Sequence, residues 1–228
     1  MNKNIIQIKN LHKQFKNNRS VIKVLSNINL GLERGKLIAL VGPSGSGKST
    51  FLHLISLLDT PTRGEIILHG KKTEMMSEKQ KNEIIRKEIS IIFQNNNLLS
   101  DFNSLENVAI PLIIRGNNYK SSTQKAEKIL SKVNLGHRLR HFPSDLSGGE
   151  QQRVAIARSI ASDTSIILAD EPTGNLDEKT SNEVFSYFLK LKKSNKTILI
   201  ATHNRDIAKK ADYTLRLSNG NINRINAK

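Results

Sequence analysis

A glycine-rich run has the residue types and spacing that bind nucleotide phosphates. The run is Gly42-Pro43-Ser44-Gly45-Ser46-Gly47-Lys48-Ser49-Thr50, which satisfies the pattern G-x-x-x-x-G-K-[ST]. The glycines let the backbone curl so that successive N–H groups point at phosphate oxygens, and the helix that follows adds its dipole. Lys48 offers a charge to the β and γ phosphates, Ser49 a hydroxyl to Mg²⁺, and Thr50 a bond to a more distal phosphate oxygen. The run predicts a site for a nucleoside triphosphate with Mg²⁺.

Two carboxylates follow an apolar run in the second half of the chain. Ile166 to Ala169 are apolar, and Asp170 and Glu171 come directly after them. At the carboxyl end of a buried strand, Asp170 can hold Mg²⁺ through its water shell, and Glu171 can orient or deprotonate a water. An acidic pair in this position is also typical of a solvated strand edge or a helix cap. The phosphate-binding run favours the catalytic interpretation.

A second glycine pair precedes a helical pattern, in the segment Leu146-Ser147-Gly148-Gly149-Glu150-Gln151. Serine is a favoured helix N-cap, and the two glycines expose backbone N–H groups at the positive end of the helix. These features suit a second phosphate site. A plain helix cap with a glycine turn has the same sequence, and the segment alone does not separate the two interpretations.

Together and in this order, the motifs resemble those of the ABC ATPases, whose signature sequence is L-S-G-G-E-Q. The resemblance covers residues 5–225 and implies that the chain binds ATP and Mg²⁺ and hydrolyses ATP to ADP and phosphate. It also implies a head-to-tail homodimer. In such a dimer the signature residues of one copy close over the ATP that the phosphate loop of the other copy holds, and these residues are Ser147, Gly148, Gly149 and Glu150.

Four further positions match the family individually. Gln94 resembles the glutamine that contacts Mg²⁺ and the attacking water, and His203 resembles the histidine that contacts the γ-phosphate. Asp177 ends the run Gly174-Asn175-Leu176-Asp177, which resembles the loop that crosses the dimer interface. Phe15 lies where the family places an aromatic that stacks on adenine, although it could equally pack in a β layer. The resemblance implies three catalytic residues, Glu171, His203 and Gln94, and three metal contacts, Ser49, Gln94 and Asp170.

The segment after Gln94 resembles the ATPases of lipoprotein-releasing systems within that family. Residues 98–112, LLSDFNSLENVAIPL, and residues 136–146, GHRLRHFPSDL, carry this narrower resemblance. It implies two integral membrane subunits as partners and a peripheral position on the cytoplasmic face of a bacterial inner membrane. Residues 168–177, LADEPTGNLD, are shared more widely, so macrolide-type exporters and cell-division complexes stay as alternatives. Asn95, Asn96 and Asn97 depart from the aromatic and histidine residues usual after this glutamine.

The elements around the motifs predict an α/β fold. Continuous apolar runs at Leu37–Val41, 89–93, 166–169 and Thr197–Ala201 suit strands buried on both faces, and helical patterns alternate with them, among them 104–114 and 178–193. Shorter alternating runs at 5–8, 21–25 and 28–32 predict an antiparallel layer, and an Asn-Gly turn at 219–220 predicts a terminal hairpin. We expect a P-loop NTPase core with a mainly parallel central sheet and this N-terminal antiparallel β layer.

The segment from Asn95 to Leu146 has helical patterns only and predicts an α-helical insertion, in which Pro111 and Gly116 mark helix ends. The expected organisation is one domain, residues 1–228, with a core subdomain at about 1–94 and 158–228 and a helical subdomain at about 95–157.

Composition limits the classes of function that the chain can have. It has no cysteine, which excludes disulfides and thiolate chemistry, and a formal net charge of +16. The basic residues are spread along the chain without a block of like charges, so we expect no specific nucleic-acid partner, although a non-transport ABC ATPase that acts on nucleic acid remains an alternative. No run approaches the roughly 20 apolar residues of a membrane span. The first residues lack the apolar stretch of a secretory signal.

Overall fold

The structure is a computed structural model that describes residues 3–17, 20–174 and 176–225. Its strands are β1 (Asn4–Asn17), β2 (Ser20–Glu33), β3 (Leu37–Val41), β4 (Arg63–Leu68), β5 (Lys71–Lys72), β6 (Ile89–Ile92), β7 (Ile166–Asp170), β8 (Thr197–Ala201), β9 (Tyr213–Ser218) and β10 (Asn221–Ile225). Its helices are α1 (Lys48–Ile55), α2 (Glu78–Glu88), α3 (Ser104–Ile114), α4 (Tyr119–Lys132), α5 (Gly148–Ser162), α6 (Glu178–Lys193) and α7 (Arg205–Lys209).

The strands form two sheets, as the apolar runs predict. The central sheet has the order β10-β9-β3-β8-β7-β6, with β9, β3, β8, β7 and β6 parallel and β10 antiparallel at one edge. The second sheet is antiparallel, in the order β2-β1-β4-β5. Residues 95–146 contain helices and no strand. The expected α/β fold, with an antiparallel layer and a helical insertion, is confirmed.

Side chains of the central sheet alternate between two apolar clusters. In β3, Leu37 packs with helices α3 to α6, whereas Ile38 packs with α1 and the antiparallel layer. In β7, Ile167 and Ala169 face the helices and Leu168 faces the layer. Because both faces are covered, residues of either orientation must be apolar, which explains the continuous apolar runs of these strands.

Polar side chains fix where the helices begin. Asn103 caps α3 and Ser147 caps α5, each in a capping box with the acidic residue three positions later. Ser77 and Gln80 form the same arrangement at α2. Each box satisfies N–H groups that a helix start leaves without partners, so the starts of these helices are determined locally.

Several elements differ from the sequence expectation. Two predicted short strands are one continuous strand, β2, which passes through a left-handed residue at Asn27. Elements β4, β5, α2 and α7 lie in segments for which no element was expected. The expectation that Pro111 marks a helix end is wrong, because it lies inside α3, which continues to Ile114. An interior proline removes one backbone hydrogen bond and crowds the carbonyl four residues earlier, so the local sequence disfavours this helix. Gly116, with φ 93°, does follow the end of that helix.

No helix among the described residues is long and apolar enough to cross a lipid bilayer.

An ion-pair cluster joins the antiparallel layer to the C-terminal hairpin. The Glu33 carboxylate accepts a hydrogen bond from Arg224 Nη1 at 2.7 Å and lies 3.1 Å from Lys3 Nζ. The guanidinium of Arg224 also lies 3.8 Å from the ring centroid of Tyr213, whose hydroxyl accepts from the Glu33 backbone N–H. The hydrogen bond from Arg224 is the main cause that holds the pKa of Glu33 below its usual value of 4.5.

This cluster predicts a specific loss of stability in acid. The folded-state pKa of Glu33 is lowered, so its ionised carboxylate adds to the free energy of unfolding above the unfolded-state pKa. This contribution is lost as the pH falls through the folded-state pKa. We expect Arg224→Gln to flatten the decline in the free energy of unfolding between about pH 6 and pH 3, measured by urea denaturation. Arg216→Gln, an exposed change in β9, is the matched control and should keep the parental decline. Identical pH dependence in both variants would contradict the assignment.

Candidate active site

The phosphate-binding run forms the turn between β3 and α1. Gly47 is the N-cap residue of α1, with φ 103°, and no side chain caps the helix. The free N–H groups of the first turn are therefore available to an anion. A β-carbon at Gly47 would lie 2.7 Å from Val24 Cγ1, and one at Gly42 would lie 2.4 Å from the carbonyl oxygen of Leu217. At both positions the neighbouring strands exclude a side chain.

Lys48 is buried and folded back over this turn. Its Nζ donates to the carbonyl oxygens of Gly42 at 3.0 Å and Pro43 at 3.1 Å, and lies 3.8 Å from Glu171 Oε1. The carbonyls hold the ammonium group in place inside the loop. A buried positive charge can attract a polyphosphate strongly, because little water screens it.

Glu171 lies between Lys48 and His203 at the end of β7. Its Oε2 is 2.9 Å from His203 Nδ1 and accepts from the His203 backbone N–H at 3.3 Å. The residue has a left-handed φ of 46°, and its own N–H donates to Ala201 O at 2.9 Å. The side chain of Glu171 is 11% exposed and that of His203 is 70% exposed. The carboxylate is thus held by protein on one side and open to a water on the other.

One cavity of about 550 Å³ gathers most of the predicted site residues. Its lining residues are Val24, Ser44, Gly45, Gly47, Lys48, Ser49, Thr50, Gln94, Asp170, Glu171, Gly174 and His203. Gly42 and Pro43 contribute through the carbonyls that hold Lys48. Ser46 does not line the cavity, and its buried hydroxyl has no hydrogen-bond partner among the residues that the structure describes. Val24 has no recognisable signal in the sequence, since an apolar strand residue is commonplace. Gly174 belongs to the run that resembles the interface loop, but the sequence does not place it at this cavity.

The oxygen donors in this cavity fit a magnesium ion that is bound together with phosphates. Ser49, Gln94 and Asp170 all line it. Among the described residues, no group of three or more His, Cys, Asp and Glu side chains could hold a metal ion unaided. Mg²⁺ is commonly bound by one or two protein oxygens, with phosphates and waters completing the octahedron. These donors therefore suit a Mg²⁺ ion that is bound together with phosphates, and they do not suit a cation site formed by protein side chains alone.

The signature segment lies outside the cavity. Ser147 N donates to Glu150 Oε2 at 2.8 Å, and Arg138 Nε donates to Glu150 Oε1 at 2.9 Å. The hydrogen bond from the Ser147 backbone is the main cause that lowers the pKa of Glu150. Both carboxylate oxygens of Glu150 are therefore engaged within their own chain. Ser147 and Gly148 are exposed, and a β-carbon at Gly148 would meet nothing within 4 Å.

Asp177 and Phe15 also lie away from the cavity lining. Asp177 caps α6, accepting from Thr180 N at 3.0 Å and Thr180 Oγ1 at 2.6 Å, and these bonds lower its pKa. Asn175, in the predicted interface loop, lies outside the described residues. Phe15 is 45% exposed on β1, opposite Ile22, with Lys13 Nζ 4.9 Å from its ring centroid. Its roles in adenine stacking and in packing both remain predictions.

The fold and this cavity define an ATPase of the P-loop class, because a phosphate loop, an acidic strand end and a histidine from the next strand meet at one edge of a parallel sheet. A family model described as "ABC transporter" matches residues 25–174. The chain belongs to this family.

Relatives named "Lipoprotein-releasing system ATP-binding protein LolD" match almost the whole chain. The one from Rickettsia bellii is 46% identical over 225 residues, covering 98% of this chain and 99% of the relative. The one from Acinetobacter baylyi is 40% identical over 222 residues, covering 96% and 97%. The solved dimer of the ATP-binding cassette MJ0796 with ADP and phosphate has a TM-score of 0.92 at 35% identity, covering 98% of this chain and 99% of that one. A second dimeric structure of MJ0796 has the same TM-score at 36% identity.

The steric limit at Gly47 predicts a defect in nucleotide binding. Gly47→Ala places a β-carbon at φ 103° and 2.7 Å from Val24 Cγ1, so the loop must move off the first turn of α1. We expect the affinity for a fluorescent ATP analogue to fall by about tenfold or more, which corresponds to about 1.4 kcal/mol. Gly70→Ala is the control, because Gly70 also has a positive φ, 80°, but a β-carbon there meets nothing within 4 Å. Equal affinities for Gly47→Ala and the parent would show that the loop tolerates the shift.

Proposed function

We propose that the chain is the ATP-hydrolysing subunit of an ABC complex that releases lipoproteins from a bacterial inner membrane toward the outer membrane. The observation that carries the ATPase assignment is the cavity in which Lys48, Asp170, Glu171 and His203 meet. The lipoprotein assignment comes from relatives of that name, which align over nearly the full chain.

The residues of the cavity divide the chemistry between them. Lys48 and the first-turn N–H groups of α1 bind the β and γ phosphates, and Thr50 binds a more distal phosphate oxygen. Glu171 orients the attacking water and accepts its proton, while His203 holds that carboxylate and contacts the γ-phosphate. Ser49, Gln94 and Asp170 would hold Mg²⁺, which would neutralise charge on the β and γ phosphates.

The signature completes the site from a second copy of the chain. Ser147 caps α5, Gly148 and Gly149 begin it, and all three lie outside their own chain's cavity; Ser147 and Gly148 are exposed and Gly149 is half-buried. A homodimer in head-to-tail arrangement brings this helix start to the partner's ATP, so that two positive helix ends face one triphosphate. Glu150 contributes by holding the start of α5, and Asp177 by capping the helix that follows the interface loop. Dimeric cassettes among the solved relatives support this arrangement.

The helical subdomain, at about residues 95–157, provides the contact with two integral membrane subunits, and the rest forms the core subdomain. Backbone bonds from Ser104 N to His141 O and from Leu105 N to Leu139 O join the two segments that resemble lipoprotein-releasing ATPases. Exposed large apolar side chains lie on these segments, at Leu99, Phe102 and Phe142. Through these subunits the protein sits peripherally on the cytoplasmic face of the inner membrane.

Purification in mild detergent with identification of the co-purifying membrane proteins tests this proposal. We expect a lipoprotein-releasing permease, and we expect Phe102→Glu to lose it while Met75→Glu, an exposed apolar residue outside the helical subdomain, retains it. A macrolide-type exporter or a regulator of cell-wall hydrolases in the same fraction would replace the lipoprotein assignment. Steep salt-dependent affinity for DNA, with no membrane protein retained, would favour a non-transport role.

A further inference from the structure

Two consecutive asparagines just after Gln94 have a left-handed backbone. Asn96 has φ 49° and Asn97 has φ 44°, a region that residues with a β-carbon rarely adopt and more rarely adopt in succession. Asn96 N donates to Phe93 O at 3.1 Å, and Asn97 N donates to Asn95 O. These bonds close a tight turn directly behind the cavity residue Gln94. Asparagine adopts this region more readily than other residues with a β-carbon, but as single residues, so two in succession gain from support outside the turn.

Arg158 supplies that support from helix α5. Its Nη1 donates to Asn97 O and its Nη2 donates to Asn96 O, both at 2.8 Å. Among the described residues, no charged neighbour contributes to the pKa shift of this guanidinium. Arg158 is half-buried, and burial lowers its pKa. The guanidinium donates to both carbonyl groups, and its planar shape lets it bridge the two at once.

The contact joins two parts of the proposed ATPase that act on different nucleotides. Arg158 lies eleven residues after Ser147, the cap of α5, and Val154, Ile156 and Ala157 bury the helix between them. A helix packed in this way moves as a rigid body, so its start and Arg158 shift together. Gln94, on the other side of the turn, lines the cavity of its own chain.

We propose that Arg158 is a positioning residue, which sets the amide of Gln94 in the cavity by holding the Asn96–Asn97 turn against the signature helix. The inference rests on the proposed role of Gln94 in ATP hydrolysis. It also gives a role to the asparagines that stand where the family usually has aromatic and histidine residues. Their left-handed backbone orients the two carbonyl groups so that these accept hydrogen bonds from the guanidinium. Displacement of α5 by a partner's nucleotide then moves Gln94.

Hydrogen exchange of the nucleotide-free protein tests the contact itself. We expect Arg158→Met to raise amide exchange by about tenfold or more in a peptide covering residues 94–98, while peptides of α5 keep parental rates. Arg158→Lys keeps the charge but loses the planar guanidinium that donates to both carbonyls, and it should raise amide exchange at 94–98 by an intermediate amount. Arg115→Met is the matched control, because Arg115 also bridges two backbone carbonyls, those of Arg86 and Lys87. Unchanged exchange at 94–98 in Arg158→Met would overturn the proposal.

Steady-state kinetics separate positioning from folding. We expect Arg158→Met to lower kcat by about tenfold and to raise the Mg²⁺ concentration for half-maximal rate, with nucleotide affinity near the parental value. Gln94→Ala should show the same two changes, and the double variant should show no further loss. If Gln94→Ala is fully active, the proposed role of Gln94 fails. If Gln94→Ala is impaired and Arg158→Met is not, or if their losses multiply, the inference about Arg158 fails.

Glycine substitution in the turn provides an independent test of the proposal. Asn96→Gly with Asn97→Gly removes the cost of the left-handed backbone and leaves both carbonyls in place. In this background the turn should persist without Arg158, so Arg158→Met should lose at most about twofold in kcat. An undiminished loss in the glycine background would show that Arg158 does not act through the shape of this turn.

Discussion

Glu171→Gln is expected to bind ATP, form a persistent dimer and lose about 10²–10³-fold in turnover. Glutamine has the same shape as glutamate, so its amide oxygen can still accept the bonds from the His203 ring and backbone that hold the present side chain. It cannot take up the proton of an attacking water. The binding half of the site is therefore preserved, while the base is lost.

The persistence of the dimer has an electrostatic reason. The Glu171 carboxylate lies at the same cavity as the phosphate loop, 3.8 Å from Lys48 Nζ, and repels a bound triphosphate. Removal of this charge strengthens ATP binding, and without hydrolysis the ATP stays between the two proposed half-sites. Size-exclusion chromatography with ATP and Mg²⁺ should show the dimer, and phosphate release should report the rate.

The control for this variant is Glu83→Gln, which removes an exposed carboxylate from α2. It should hydrolyse ATP at the parental rate and show no ATP-dependent change in size beyond that of the parent. Turnover of Glu171→Gln at the parental rate would mean that another group activates the water. Loss of ATP binding by the same variant would mean that Glu171 serves the structure of the cavity.

Lys48→Met is expected to reduce kcat/KM by about 10³-fold or more, because removal of a single preorganised charge from a transition-state site costs on that scale. The chain length of methionine keeps the buried volume, but no donor remains for Gly42 O, Pro43 O or a phosphate. Nucleotide affinity should also fall, since the ammonium binds the ground-state phosphates as well. Titration with a fluorescent ATP analogue and steady-state phosphate release measure the two losses separately.

Lys87→Met is the matched control, because Lys87 is an exposed lysine in a surface pair with Glu83. Its kinetics should equal those of the parent, since such pairs contribute little. A parental kcat/KM for Lys48→Met would remove Lys48 from the proposed phosphate contacts.

Local sequence was sufficient for the motifs and for several helix boundaries. The phosphate run, the acidic pair and the signature are contiguous, and each predicts its chemistry from neighbouring residues. Helices α3 and α6 coincide with the helical patterns at 104–114 and 178–193, and Asn103 and Asp177 fix their first residues by local bonds. The predicted Asn219-Gly220 turn between β9 and β10 is confirmed, with φ 49° and 76° at its two residues.

Elements without a local signature could not be predicted in this way. Helix α2 buries none of its residues fully and is strongly polar, so it has no apolar stripe to reveal it. Strands β4 and β5 depend on the pairing of β4 with β1, which is distant in sequence. Local propensity predicts a helix end at Pro111, whereas packing of α3 against α4 and α5 continues the helix to Ile114.

The sequence by itself determined which chemical groups are present and in what order: a phosphate loop, a glutamine, a signature, a carboxylate pair and a histidine. Only the tertiary structure decided which of them meet. Parallel pairing of β3, β8 and β7 places Glu171 in contact with both Lys48 and His203, because the carboxyl ends of parallel strands share one edge. The same packing leaves Ser147 outside the cavity and directs Arg158 to the turn behind Gln94. Such contacts join residues far apart in the chain, and no local pattern encodes them.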